Sequence, residues 1–218
     1  MMLLSACYLP PVSYVARLYA ACRSDEAVTI DLAEHYQKQT YRNRCCIAAA
    51  DGPLALSIPV EGMPKAAGGT SHTPMADIRV SDHGRWRSLH WRALVAAYES
   101  SPFFDYYADD LERLYATPFT FLADLNAAFL HTVLDDLDLH PRLTAHRGAY
   151  IAAAEPDLRR IISPKMPLSA DVAYRSVPYY QVFADRLGFL PNLSIIDLLC
   201  CMGPEARLIL RDSLRSEA

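Results

Sequence analysis

Hydrophobic positions recur along this chain first as short runs and later at helical spacing. Leu3 to Leu9 is an apolar run stopped by Pro10-Pro11, the form of a buried strand. Val12, Val15, Ala16, Leu18, Tyr19 and Cys22 then follow a helical period, and Pro11 stands where a helix start tolerates proline. Ala27 to Ile30 reads as a second short strand. Strand, helix and strand within ~30 residues predict a right-handed parallel crossover. Cys45 to Ala50 and Leu54 to Val60, separated by Asp51-Gly52-Pro53, predict a hairpin. Gly62 to Met75, rich in Gly, Pro, Ser and Thr, predicts a mobile surface loop, and Asp77 to Val80 a short strand.

From Gly84 onward the period changes. Trp86 to Tyr98, Tyr106 to Tyr115 and Phe119 to Leu137 carry helical patterning, punctuated by Pro102 and Pro118. Pro141 to Pro167 is less regular, and a short added strand is expected at Tyr150 to Ala153. Val177 to Leu187 reads as helical. Asn192 or Ser194 is placed to cap a helix that Gly203-Pro204 ends, and Pro204 opens a last helix through Leu214. The class expected is α/β: an N-terminal strand-helix-strand crossover and hairpin in a mixed sheet, with a mostly helical second half. No repeat or linker interrupts the chain, so we expect one domain over 1–218, sheet-rich over 1–82 and helical over 83–218.

Composition supports a globular chain: 218 residues, 52% hydrophobic and 21% charged. With 21 basic against 25 acidic residues the formal net charge is -4, so no chain-wide basic excess points to nucleic acid or an anionic membrane. No apolar run approaches the ~20 residues of a membrane span. Leu4-Ser5-Ala6-Cys7 has the look of a lipoprotein box, but lacks a basic region and an apolar stretch before it. A cytoplasmic location is therefore expected. Cys7, Cys22, Cys45, Cys46, Cys200 and Cys201 show no zinc or redox spacing and read as reduced, buried small residues.

Candidate chemistry concentrates in two segments. His35 to Arg44 holds His35, Lys38, Tyr41, Arg42, Asn43 and Arg44. If Tyr41 to Cys46 is a strand, Arg42 and Arg44 share one face, ~7 Å apart, and can take a phosphate or carboxylate. The same residues also suit a solvated edge strand whose charges oppose aggregation. The second segment, Asp82 to Arg92, places Trp86 beside His90 and Arg87 beside Trp91 on one helix. His90 is either a general base or a core histidine packed on Trp86. His83 lies ~10 Å further along the axis, too far to share a metal with it. Tyr98 to Tyr107 reads mainly as an aromatic joint between helices. No G-x-S-x-G, G-x-G-x-x-G or H-E-x-x-H occurs, and no cofactor or metal is called for.

Several segments together resemble the WbqC-like protein family. They are Tyr8-Leu9-Pro10 with Tyr14; Tyr41-Arg42-Asn43-Arg44 with Gly52, Leu56 and Ile58-Pro59-Val60; Trp86-Arg87, His90-Trp91, Tyr98 and Pro102-Phe103-Phe104-Asp105; Leu125-Asn126; and Asn192-Leu193-Ser194-Ile195-Ile196-Asp197-Leu198-Leu199 with Gly203-Pro204-Glu205. Where the family often has Gln-Pro-Asn before Tyr-Leu-Pro, this chain has Ser5-Ala6-Cys7. The resemblance implies a setting in surface-polysaccharide (O-antigen) biosynthesis and a transferase role, with glycine or aminoacyl transfer suggested. It carries over no catalytic residues. The expected sites therefore rest on chemistry: His90 and Tyr41 as catalytic groups, and His35, Lys38, Arg42, Asn43, Arg44, Trp86 and Arg87 around an anionic or nucleotide-sugar substrate. A binding or scaffold protein in envelope assembly is the competing reading. Nucleotidyl transfer is a narrower one, with Pro10 to Tyr14 as the phosphate turn and Ser163 at a facing helix start.

Overall fold

The computed structural model describes residues 1–62, 69–152 and 155–215. Strand β1, Met2–Ser5, is wholly buried, and α1, Val12–Ser24, follows Pro11. The expected strand through Leu9 stops at Ser5. Tyr8 N–H turns away to the Tyr41 carbonyl at 2.8 Å, and Leu9 enters the left-handed region at φ +39. Strand β2, Ala27–Asp31, pairs parallel with β1, with Met2 opposite Val28 and Ser5 opposite Asp31. The parallel crossover read from the sequence is present.

Strands β3, Arg44–Ala49, and β4, Gly52–Ser57, form the antiparallel hairpin, with Ala49 opposite Gly52. Gly52 sits at φ +123, a conformation that favours glycine. The hairpin stands apart from the parallel sheet.

The helical half begins with α2, Trp86–Tyr98, α3, Phe104–Ala116, and α4, Leu122–Asp136, close to the predicted spans. After α4 the chain returns to the sheet. Strand β5, Arg142–His146, pairs parallel with the free side of β2, giving the order β1-β2-β5. A single parallel bridge joins Leu3 to Asp157 on the outer side of β1. Short α5, Ala184–Leu187, then α6, Ile195–Met202, and α7, Ala206–Asp212, complete the helices. Ser194 caps α6, accepting from Ile196 N–H and donating to the Leu9 carbonyl. α1 packs against β2, α6 and α7.

Four local expectations change. Asp77 to Val80 is not a strand: a 3-10 turn spans Met75–Asp77, and single bridges join Val80 to Val60 and Arg79 to Phe121. Of Val177 to Leu187 only the last four residues are helical, because Pro178 has no N–H to donate and Gln181 binds the Leu190 backbone with its side chain. Tyr150 to Ala152 is unpaired, and Ala153 lies outside the described residues. The loop expected over Gly62 to Met75 falls partly on residues 63–68, which are likewise outside them. Its later part is anchored: Tyr36 N–H donates to the Thr73 carbonyl and Met75 N–H to the Glu34 carbonyl.

Candidate functional site

The carboxyl ends of β1 and β2 are polar although they are buried, and that of β2 is charged. Ser5 and Asp31 are 4% and 0% exposed. A buried carboxylate needs a partner, and Arg159 supplies one, with Nη1 2.5 Å from Asp31 Oδ2. The same guanidinium donates Nε and Nη2 to Asp157 at 3.0 and 2.6 Å. Beside it, Arg42 grips Glu34 through two bonds of 2.9 and 2.5 Å and donates to Thr40 Oγ1. The Arg159 carbonyl accepts from Ser5 Oγ and Arg42 Nη2, which joins the two clusters. Burial raises the Glu34 carboxyl, with the Arg42 bonds working against that rise. Hydrogen bonds from Arg159 hold Asp157 below the ordinary carboxylate range.

A cavity of about 460 Å³ opens over this network, lined by Glu34, His35, Gln37, Ser71, Tyr150, Arg159 and Arg160. In open α/β sheets the carboxyl ends of parallel strands are the usual place for ligands. The Arg159 Cζ lies 5.0 Å from the centre of the Tyr150 ring. The His35 ring lies 5.9 Å from that of His72.

The structure divides the predicted site residues among separate places. His35 lines this cavity and Arg42 lies directly behind it. Lys38 is exposed, its carbonyl accepting from Lys165 Nζ. Tyr41 and Arg44 line a second cavity of about 470 Å³, with Cys46, Ser163 and a proline-rich rim. Asn43 donates to the Ile58 carbonyl. Trp86 and Arg87 border a third hollow of about 370 Å³, the Arg87 guanidinium 4.7 Å from the Trp86 ring. The shared face expected of Arg42 and Arg44 does not form: residues 41–43 make a turn before β3 begins, so strand alternation never reaches Arg42. Arg42 is turned inward at 2% exposure, whereas Arg44 bonds Ser57 Oγ on the hairpin.

His90 is buried within an aromatic knot. Its Nδ1 is hydrogen-bonded to Tyr8 Oη at 3.0 Å, and Tyr8 in turn is hydrogen-bonded to Tyr115. Trp86 and Tyr115 pack edge-on against its ring. Burial lowers the imidazole to about 4, opposed by a backbone hydrogen bond to Ser57. None of the cavities named above is lined by His90.

The α1 start is closed as a phosphate turn. Val12 N–H donates to the Leu193 carbonyl and Ser13 N–H to Asn192 Oδ1 at 2.8 Å. Ser163 does share a cavity of about 10 Å³ with Ser13, but it sits in a turn and not at a helix start. Among the described residues no three of His, Cys, Asp and Glu are grouped to hold a metal ion, and no helix is long and apolar enough to cross a membrane. The six thiols are free, four of them buried.

Sequence reasoning passed over Asp31, Glu34, Tyr150, Asp157, Arg159 and Arg160. One signal was available: Arg159-Arg160 interrupts the apolar Leu158 and Ile161-Ile162, as a charge with a buried partner does.

The model of the WbqC-like protein family matches residues 6–172. The chain belongs to this family. The stretch matched in this WbqC-like chain includes β2, His35 and the Arg159-Arg160 pair, and ends before the Ser194 to Leu199 block. The chain is also similar to "Uncharacterized protein Rv1507c" of Mycobacterium tuberculosis, 28% identical over 210 residues, covering 86% of this chain and 88% of that protein. No solved structure is significantly similar to it.

Proposed function

We propose that this WbqC-like chain is a cytoplasmic transferase of surface-polysaccharide assembly, taking an anionic, activated sugar precursor in the cleft at the carboxyl ends of β1 and β2. The observation that carries the reading is the pairing of a small-molecule-sized cavity with a buried, fully paired charge network beneath it. Such a network holds the cavity floor rigid, because every charge has a fixed partner. The groups left over at the lips are His35 and Arg160, both exposed. Arg160 makes no direct ion pair among the described residues and is available to a phosphate or carboxylate. His35 is the imidazole placed to take a proton from an acceptor hydroxyl or amine. Glycine or aminoacyl transfer to the sugar fits this arrangement: an activated acyl donor would lose its carrier as leaving group while the base takes the proton of the attacking sugar hydroxyl or amine.

Thermal-shift screening against nucleotide sugars tests the binding half. A rise in melting temperature that is abolished in Arg160→Ala is expected. Surface-polysaccharide output in cells carrying His35→Ala tests the chemical half. Normal output from both variants, with no ligand response in the native protein, overturns the proposal. A non-catalytic envelope-assembly module is the second reading. It is favoured by the dispersal of Arg42, Arg44 and His90 and by the exposed Met166, Leu168, Val172 and Tyr180. That reading requires the cleft variants to be silent.

A further inference from the structure

Tyr150 is 56% exposed, yet its ring is not loose on the surface. It rests on the guanidinium of Arg159, 5.0 Å from ring centre to Cζ. That guanidinium is itself immobile: its side chain is 4% exposed and is held by Asp157 on two nitrogens and Asp31 on a third. A cation fixed against an aromatic face attracts the ring through its quadrupole and orients it. The result is an aromatic plate whose one side is seated and whose ring stays largely open at the cavity edge. Binding a second flat group there costs little further ordering.

Arg160 follows directly on Arg159 and lines the same cavity, exposed and with no direct ion pair among the described residues. The nearby carboxylates are already engaged: Glu34 by Arg42, and Asp31 and Asp157 by Arg159. The open polar groups of the cavity are therefore Arg160, His35, Gln37 and Ser71. A cation and hydrogen-bonding groups beside a flat ring suit a ligand with a planar head and an anionic tail. The volume of about 460 Å³ falls within the roughly 300–1,000 Å³ of small-ligand sites.

We infer that Tyr150 is a stacking platform for the base of a nucleoside diphosphate, whose phosphates meet Arg160. The assignment rests on the reading of the cleft as the substrate site and names its ligand class. Isothermal titration of the full chain with UDP and with inorganic pyrophosphate tests it. Stacking on an aromatic side chain sets the scale of the base contribution, so Tyr150→Ala is expected to weaken UDP binding about tenfold. It leaves pyrophosphate binding unchanged, while Tyr150→Phe keeps UDP binding. Arg160→Ala weakens both probes. If Tyr150→Ala binds UDP like the native chain while Arg160→Ala loses it, the platform is overturned and the anion cleft stands. If the native chain binds neither probe, platform and cleft reading fall together. Tyr150 is exposed, so an unaltered thermal melt for Tyr150→Ala separates lost binding from lost fold.

Discussion

The side chain of Arg42 is 2% exposed and shares two hydrogen bonds with Glu34, while Arg44 is partly exposed and reaches Ser57 Oγ. Removing one partner of a buried ion pair strands the other charge. Arg42→Ala is therefore expected to destabilise the chain by ~3–5 kcal/mol, and Arg44→Ala by no more than ~0.5 kcal/mol. Urea unfolding of the two variants measures this, and equal losses would remove the buried-pair account. His90 yields a pH prediction. Its folded pKa, about 4, lies below the ordinary imidazole value, so the unfolded chain binds the extra proton first as pH falls. Its contribution is whole above pH ~6.5 and is lost towards pH ~4, amounting to ~2 kcal/mol at pH 5. His90→Gln, which cannot titrate, should lose less stability than the native chain between pH 7 and pH 5. A steeper loss in the variant would contradict the assignment. At this scale the sequence identified the residue types but not their direction. Tyr41 to Asn43 form a turn, and a turn has no alternation from which to read a face.

Elements with a strong period were legible. α1, α2 and the β3-β4 hairpin lie close to where apolar spacing placed them. β5 was not, because it is the sheet's outer strand. Arg142, Thr144 and Ala145 are exposed, which leaves no apolar run to mark a parallel strand. Gly203 shows why the α6-to-α7 junction was easy to place. It adopts φ +52, and an added Cβ would stand 2.5 Å from Cδ1 of Phe103. Gly203→Ala must strain the backbone and displace that ring, which the Phe103 N–H bond to the Cys200 carbonyl holds in place. The expected loss is ~1–3 kcal/mol, seen as a melting temperature lower by several degrees. Gly62→Ala meets nothing within 4 Å and is the matched control. An unchanged melt for both would mean that the junction yields more readily than its geometry implies.

Over the whole molecule, the cleft is assembled from the loop that follows β2, the turn at Ser71, and Tyr150 with Arg159 and Arg160. No local pattern reports such a meeting, because it follows from β5 returning to β2 after three helices. The same return leaves imperfect packing between sheet and helices. A cavity of about 120 Å³ lies between Ile30, Leu32, Leu143 and Ala145 on the sheet and Ala123, Asn126, Ala127 and Leu130 on α4. Small side chains on both sides leave the gap, whose walls are mostly apolar apart from the Asn126 amide. Ala127 stands at its open edge. Methionine is unbranched, favours helix and fills irregular space. Ala127→Met should therefore cover apolar surface at ~25 cal/mol per Å², a gain of about 1 kcal/mol and ~2–4 °C in melting temperature. The cleft lies at the strand ends and shares none of these residues, so UDP titration of Ala127→Met should match the native chain. A lowered melting temperature would show that the sheet and α4 already meet too closely for a longer side chain. A raised one together with weakened binding would show that this packing layer and the cleft are mechanically joined.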